Sequence, residues 1–221
     1  MRTRFDEQLD ELNNELIIMG DLCEEAINNV VTALIERDKK RLDKVYSIDS
    51  RIDTQEKNIE SLCMKLLLHQ QPVARDLRTI SSALKMISDM ERIGDQAADI
   101  AELVEYIHDK EITFINHIEE MANATIKMVT DSIESFVKKD LEMAKQVLAD
   151  DDIVDNMFCM VKNDLVDEMV QDKTASELCL DILMIAKYLE RIGDHATNIA
   201  EWVIYSITGE HLSSFTFFEG E

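Results

Sequence analysis

The chain has 221 residues, enough for one large domain or two small ones, and 46% of them are apolar, which supports a buried core. Five glycines and one proline leave little turn chemistry for a multi-stranded sheet. The formal net charge of −23 repels nucleic acid and anionic lipid, so we expect neither as a direct ligand and expect cations or basic protein surfaces instead.

Apolar residues recur at helical spacing along nearly the whole chain. Near the start, Phe5, Leu9, Leu12, Leu16 and Met19 follow one another at intervals of three and four residues, as on one face of an amphipathic helix. Short connections between such helices predict antiparallel neighbours in an all-α bundle. The pattern predicts six helices, at 3–37, 39–69, 73–108, 114–138, 140–171 and 174–208.

Three segments interrupt the helical pattern. Pro72 should end one helix or begin the next, because it lacks an N–H and its ring disfavours a helix interior. DKEITFINH (109–117) is the best candidate for a joint between two domains. The tail after Gly209 loses helical periodicity, so we expect it to be loosely packed or to form a contact.

No membrane-spanning helix is expected, because no apolar run approaches the roughly 18 residues that a span needs. No secretory signal is visible, because the N-terminal MRTRFDEQLDE contains no apolar h-region. The four cysteines form no CxxC pair and lack zinc-site spacing. They lie among apolar residues, so we expect buried free thiols in a reducing cytosol. These cysteines are Cys23, Cys63, Cys159 and Cys179.

The chain contains an internal duplication. ERIGDQAADIAE (91–102) returns 99 positions later as ERIGDHATNIAE (190–201), and 11 of 17 residues are identical between 90–106 and 189–205. Earlier in each unit, 33–53 matches 135–155 at an offset of 102. The duplication predicts two tandem, similar three-helix bundles. We expect the first at 1–110 and the second, with a short tail, at 111–221.

Each copy of the motif places acids on one side of its helix. A helical wheel brings Glu91, Asp95, Asp99 and Glu102 within about 80° of one another, away from the apolar stripe. Gly94 lies on the shoulder between the two stripes. A missing side chain there lets a neighbouring helix approach closely or leaves room for a bound group.

The preceding helix of each unit carries a matching acidic stripe. Carboxylates that converge from two helices repel one another unless cations or protons lie between them, and hard oxygen ligands suit Mg²⁺, Ca²⁺, Mn²⁺ or iron. A solvated acidic face is the alternative, and repetition at matched positions favours the metal site over it. The paired acids are Asp49 and Asp53 with Glu91 and Asp95 in the first unit, and Asp151 and Asp155 with Glu190 and Asp194 in the second.

An enzyme built on the same acids is a second hypothesis, and a purely structural acidic bundle is a third. Di-iron carboxylate bundles use Glu-x-x-His pairs that project inward. Here Gly94 and Gly193 stand three residues after Glu91 and Glu190, where those bundles have histidine. No Ser-His-Asp arrangement, Walker loop or GxGxxG is present, so we expect a protein that is not an enzyme.

LERIGDHATNIAEWVIYSITGE (189–210), together with ERIGDQAADIAE and the QQPVARDLRTI segment (70–80), resembles the PhoU family of phosphate-uptake regulators. The resemblance covers essentially the whole chain. It implies two similar three-helix bundles with surface clusters of iron, zinc, magnesium or manganese on E(D)xxxD pairs. The implied ligands are the eight paired acids, with Asp99 and Asn198 as further ones. Since Asn198 is neutral and Phe158 and Lys162 replace the two later acids of the preceding helix, we expect the second site to bind more weakly or to hold fewer ions.

The resemblance also implies a role. Members of the family link the phosphate ABC transporter to a sensor histidine kinase and repress the phosphate-starvation response when phosphate is plentiful. This implies a cytoplasmic, metal-binding adaptor that contacts the transporter ATPase and the kinase and forms a homodimer. Because the chain has a net charge of −23, we expect it to bind phosphate only through a bridging metal.

Overall fold

Amphipathic helices make up nearly all of the part of the chain that the structure describes. The computed structural model describes residues 2–70, 72–107 and 116–211, and contains no strand within those ranges. Every helix agrees within two residues with the one predicted from apolar spacing, and none of them combines the length and apolarity that crossing a bilayer needs. The helices are α1 (Arg2–Glu36), α2 (Lys40–Gln70), α3 (Ala74–Ile107), α4 (Asn116–Lys138), α5 (Leu141–Gln171) and α6 (Ser176–Thr208), with a 3-10 helix at Lys173–Ala175.

The turns that join α1 to α2 and α4 to α5 are built alike. Arg37 and Lys139, which are repeat counterparts, adopt the left-handed conformation with φ of 56° and 55°. The next residues, Asp38 and Asp140, accept hydrogen bonds from backbone N–H groups at the start of the following helix. Such caps satisfy N–H groups that a helix leaves unpaired. The shared construction is what a duplication predicts.

The helices pack as two three-helix bundles that lie against each other. α1, α2 and α3 contact one another, as do α4, α5 and α6. The bundles meet where α3 packs against α6 and α1 against α4. All six helices contribute to one apolar core, in which Met90 and Ile93 of α3 and their counterparts Leu189 and Ile192 of α6 are fully buried. The prediction of an all-α fold with two tandem three-helix bundles is confirmed.

Two of the predictions concern residues outside the described ranges. The joint expected at 109–117 falls there except for its last two residues, and so does the tail from residue 212 onward. The boundary between residues 110 and 111 therefore stays a prediction.

The prediction of buried thiols is confirmed for Cys23, Cys63 and Cys179 and wrong for Cys159, which is exposed on α5. Apolar neighbours misled the sequence reasoning, because Met160 and Ile153 near it on the same helix are also exposed. An apolar local sequence marks the core only where a second helix covers it.

Candidate functional site

α2 and α3 approach each other closely at Gly94. A Cβ atom on Gly94 would lie 2.9 Å from Ile52 Cδ1 and 3.1 Å from Asp49 Oδ1, both tighter than ordinary contact. The glycine thus lies directly beside the acidic stripe of α2, as its place on the helical wheel predicted. The second unit is looser at Gly193, where no atom comes closer than 3.6 Å to the Cβ position, Asp151 Oδ1 being among the nearest.

The acids of the first unit share one groove between α2 and α3. Burial raises the pKa of Asp49, and the charges of Asp53, Asp95 and Asp99 raise it further. Asp49 Oδ1 is itself buried and has no hydrogen-bond partner among the described residues. The repulsion on Asp49 therefore comes from its own helix and from the facing one, which is the juxtaposition that the paired motifs predicted.

Arg92 lies at the edge of this groove. Its guanidinium Nη1 is 2.8 Å from Asp95 Oδ2, and its Nε is 3.5 Å from Glu91 Oε2. Burial raises the pKa of Glu91, the charge of Asp95 adds to this, and Arg92 opposes both. Arg92 is mostly exposed, so these ion pairs contribute little to stability and leave most of the negative charge in place.

The second unit repeats the groove between α5 and α6. Burial raises the pKa of Asp151 to about 6, with further contributions from Asp155, Asp194, Asp152 and Glu190. Burial and the charge of Glu190 also raise the pKa of Asp194. Both units therefore bring together the acids that the sequence paired.

Sequence reasoning missed a lysine at the second groove. Lys187 Nζ pairs with Glu190 Oε2, and it lies 5.6 Å from the centre of the Phe158 ring. The repeat counterparts of Lys187 and Phe158 in the first unit are Ser88 and Glu56. The signal was present in the repeat comparison, since Phe158 replaces the negative charge of Glu56 and Lys187 adds a positive charge where Ser88 is neutral. The second groove is accordingly the less negative of the two.

The position four residues after Asp194, occupied by Asn198, faces the other bundle. Asn198 Nδ2 donates to Asp89 Oδ1 at 3.1 Å, and His195 Nδ1 lies 2.8 Å from the same oxygen. Tyr188 donates a hydrogen bond to Asp99. The 99-residue offset equates Asp89 with Tyr188 and Asp99 with Asn198, so the two contacts are counterparts across the α3–α6 interface. In this structure Asn198 joins the two halves of the chain.

The carboxylates share two grooves without converging on one point. Within the described ranges, no group of three or more His, Cys, Asp or Glu side chains is arranged to hold a metal ion. The donor sets consist of oxygen atoms, which suit magnesium, manganese or iron better than zinc. The unpartnered oxygen of Asp49 is one that a cation would satisfy. The ligand role of the ten residues stays a prediction.

Known proteins resemble this chain over nearly its full length. The family model described as PhoU domain matches twice, at 16–104 and 118–203. A relative from Clostridium acetobutylicum, named phosphate-specific transport system accessory protein PhoU homolog, is 36% identical across 96% of this chain and 97% of its own. The crystal structure of PhoU from Pseudomonas aeruginosa aligns with a TM-score of 0.87 at 35% identity, covering 93% of this chain and all of that one. The crystal structure of the phosphate transport system regulatory protein PhoU from Streptococcus pneumoniae aligns with a TM-score of 0.86 at 26% identity, covering 94% and 99%.

Replacing each motif glycine with alanine tests how closely α2 approaches α3 at Gly94 and α5 approaches α6 at Gly193. Gly193→Ala should raise the free energy of unfolding by up to about 1 kcal/mol, because alanine favours a helix and the new Cβ meets only ordinary contacts. Gly94→Ala should be less stable than Gly193→Ala, because Ile52 and Asp49 must shift to admit the methyl group. Urea denaturation of both variants in one buffer measures the difference. If both variants gained the same free energy of unfolding, the helices could not be closer at Gly94 than at Gly193.

Asp151→Asn tests the electrostatic cost of the second groove. The folded chain holds the Asp151 proton more tightly than the unfolded chain, so this group's contribution to stability is lost as pH rises from its ordinary pKa of 3.8 to about 6. In chelator, Asp151→Asn should raise the melting temperature at pH 7.5, and the gain should shrink toward pH 5. Thermal melts measure it, with Asp167→Asn, an exposed aspartate on the same helix, as control. If the increase in melting temperature did not depend on pH, the raised pKa of Asp151 could not be its cause.

Proposed function

This chain belongs to the PhoU family, and from that membership we propose that it is a non-enzymatic accessory protein that regulates phosphate uptake. Relatives named as accessory proteins of a phosphate-specific transport system match nearly the whole chain. We propose that it acts in the cytoplasm as a homodimer. Its proposed partners are the ATPase of a phosphate ABC transporter and a sensor histidine kinase, through which it represses the phosphate-starvation response when phosphate is plentiful.

Metal binding is the chemical part of the proposal, and the crowding of carboxylates at Asp49 and Asp151 is the observation that supports it. Burial raises the pKa of both groups, and acids on the facing helix raise it further. Nothing in a helical scaffold requires such crowding at matched places in both units. A multivalent cation would neutralise the repulsion and supply a partner for Asp49 Oδ1.

The position of the two grooves favours an adaptor over an enzyme. Among the described residues, α2 contacts only α1 and α3, while α5 contacts only helices α4 and α6 and the 3-10 helix. The grooves between α2 and α3 and between α5 and α6 therefore lie on outer flanks of the bundles, away from the interface that joins them. Water reaches such grooves easily, which suits recognition by a partner protein better than chemistry that needs a dry site.

Elemental analysis of the purified protein tests the metal proposal. Glu91→Ala and Glu190→Ala should each lower the bound metal, and the double variant should lose it. The exposed Glu119→Ala on α4 is the matched control. Chelator should lower the melting temperature of the parent and leave the double variant nearly unchanged, because a ligand of the native state stabilises it. A parent without metal, whose melting ignores chelator, would instead support a purely structural acidic bundle.

Deleting the gene tests the regulatory proposal. Phosphate-responsive genes should become expressed at high phosphate, and the parent gene supplied in trans should restore repression. Unchanged expression at high phosphate would contradict the proposal. Metal-dependent turnover of phosphoesters or O₂ that is lost in Asp95→Ala and Asp194→Ala would favour an enzyme in its place.

A further inference from the structure

Three basic side chains line one cavity of this acidic protein. The chain has 23 Lys and Arg residues against 46 Asp and Glu. A cavity of about 360 Å³, formed where α1, α3, α4 and the end of α6 meet, is lined by Arg75, Arg78 and Lys139. No acid is among the described residues that line it. Its surface therefore has the charge opposite to that of the protein as a whole.

The three cations have no protein partner within the described ranges. Within the described ranges, no hydrogen bond or ion pair joins the side chains of Arg75, Arg78 or Lys139 to another residue, and Arg78 Nε is buried without a partner. Arg78 Cζ lies 3.5 Å from the Cβ position of Gly209, so the end of α6 packs against the guanidinium. Asp140, the acid next to Lys139, uses its carboxylate to cap α5. Arg78 is half-buried, whereas Arg75 and Lys139 are exposed. The unpaired guanidinium of Arg78 therefore costs free energy that an anion would recover.

The duplication supplies an internal comparison. At the 99-residue offset, Arg75 and Arg78 correspond to Thr174 and Glu177. Glu177 accepts a hydrogen bond from Tyr106 at 3.1 Å, so the equivalent end of the other bundle carries an acid where this one carries Arg78. Residues needed only for packing would be expected at both ends, because the helices pack alike. The cluster of cations is therefore not a requirement of the scaffold.

We infer that this cavity binds a phosphoryl oxyanion, either inorganic phosphate or the phosphoryl group of a small phosphorylated molecule. The planar donors of two guanidinium groups and a lysine ammonium match phosphoryl oxygens. The cavity volume falls within the range of about 300–1,000 Å³ that small-molecule pockets occupy, so either source fits. Neutral donors on the same lining are Asn13, Thr79 and Ser206.

Anion binding here needs no bridging metal, in contrast to the expectation from net charge alone. The partial positive charge at the start of α3, where Arg75 and Arg78 lie, adds to the field of the side chains. The cavity is formed by none of the ten predicted metal ligands. Loss of metal binding therefore leaves this inference intact, and the two proposals fail separately.

Equilibrium dialysis of the full chain tests the inference, with radiolabelled inorganic phosphate in one arm and ATP in the other. Both arms contain chelator and low salt, because ions screen exposed charges. We expect one saturable site per chain. Arg75→Gln and Lys139→Asn should each lower the affinity of this site about tenfold or more. Asparagine tolerates the left-handed backbone at position 139. Lys57→Gln, an exposed lysine of α2 with the same charge change, should bind as the parent does.

The two arms separate the sources of the anion. Binding of phosphate identifies the free ion, and binding of ATP without phosphate identifies a phosphoryl group carried on a larger molecule. Absence of saturable binding of both below about 10 mM overturns the inference. Binding that survives Arg75→Gln and Lys139→Asn, or that Lys57→Gln weakens equally, also overturns it. Thermal melts of each variant check that the fold is retained.

Discussion

In the first bundle Gly94 lets two acid-bearing helices pack closely, and this packing sets how near their carboxylates lie, whereas the approach at Gly193 in the second bundle is looser. At Gly94 the side chain of Ile52 comes within 2.9 Å of where a Cβ would be, and Asp49 lies alongside with one oxygen buried and unpartnered. The apolar core fixes both backbones, so the helices cannot separate to relieve repulsion. Burial raises the pKa of Asp49 and of Asp151, the unrelieved repulsion raises both further, and cations are what would relieve that repulsion.

The interface between α3 and α6 joins the two bundles that the duplicated sequence forms. Asp89 with Asn198 and Tyr188 with Asp99 are the same contact made twice, once from each half. Asp99 is therefore shared between two demands, the acidic groove of its own unit and the contact with the other bundle, whereas Asn198 is used in the contact with Asp89. This accounts for a neutral amide at position 198, because the facing Asp89 accepts a hydrogen bond from it.

Departures from the repeat distribute charge unevenly over the molecule. Phe158 and Lys187 make the second groove less negative than the first, whereas Arg75 and Arg78 make one end of the bundles cationic. Groups of opposite charge thus occupy separate places on one rigid scaffold. The two proposals place cation binding on the flanks of the bundles and oxyanion binding where α1, α3, α4 and α6 meet.

The sequence by itself determined the helices, the duplication and the pairing of acids within each unit, because apolar periodicity and i,i+4 spacing are local properties of a helix. Tertiary structure decided the exposure of Cys159, the bond from Asn198 to Asp89 and the meeting of Arg78 with Lys139 in one cavity. Asn198 and Asp89 are 109 positions apart, and no periodicity along one helix specifies which face of another will lie opposite. Packing of the two bundles fixes that choice, since it buries the largest apolar faces together.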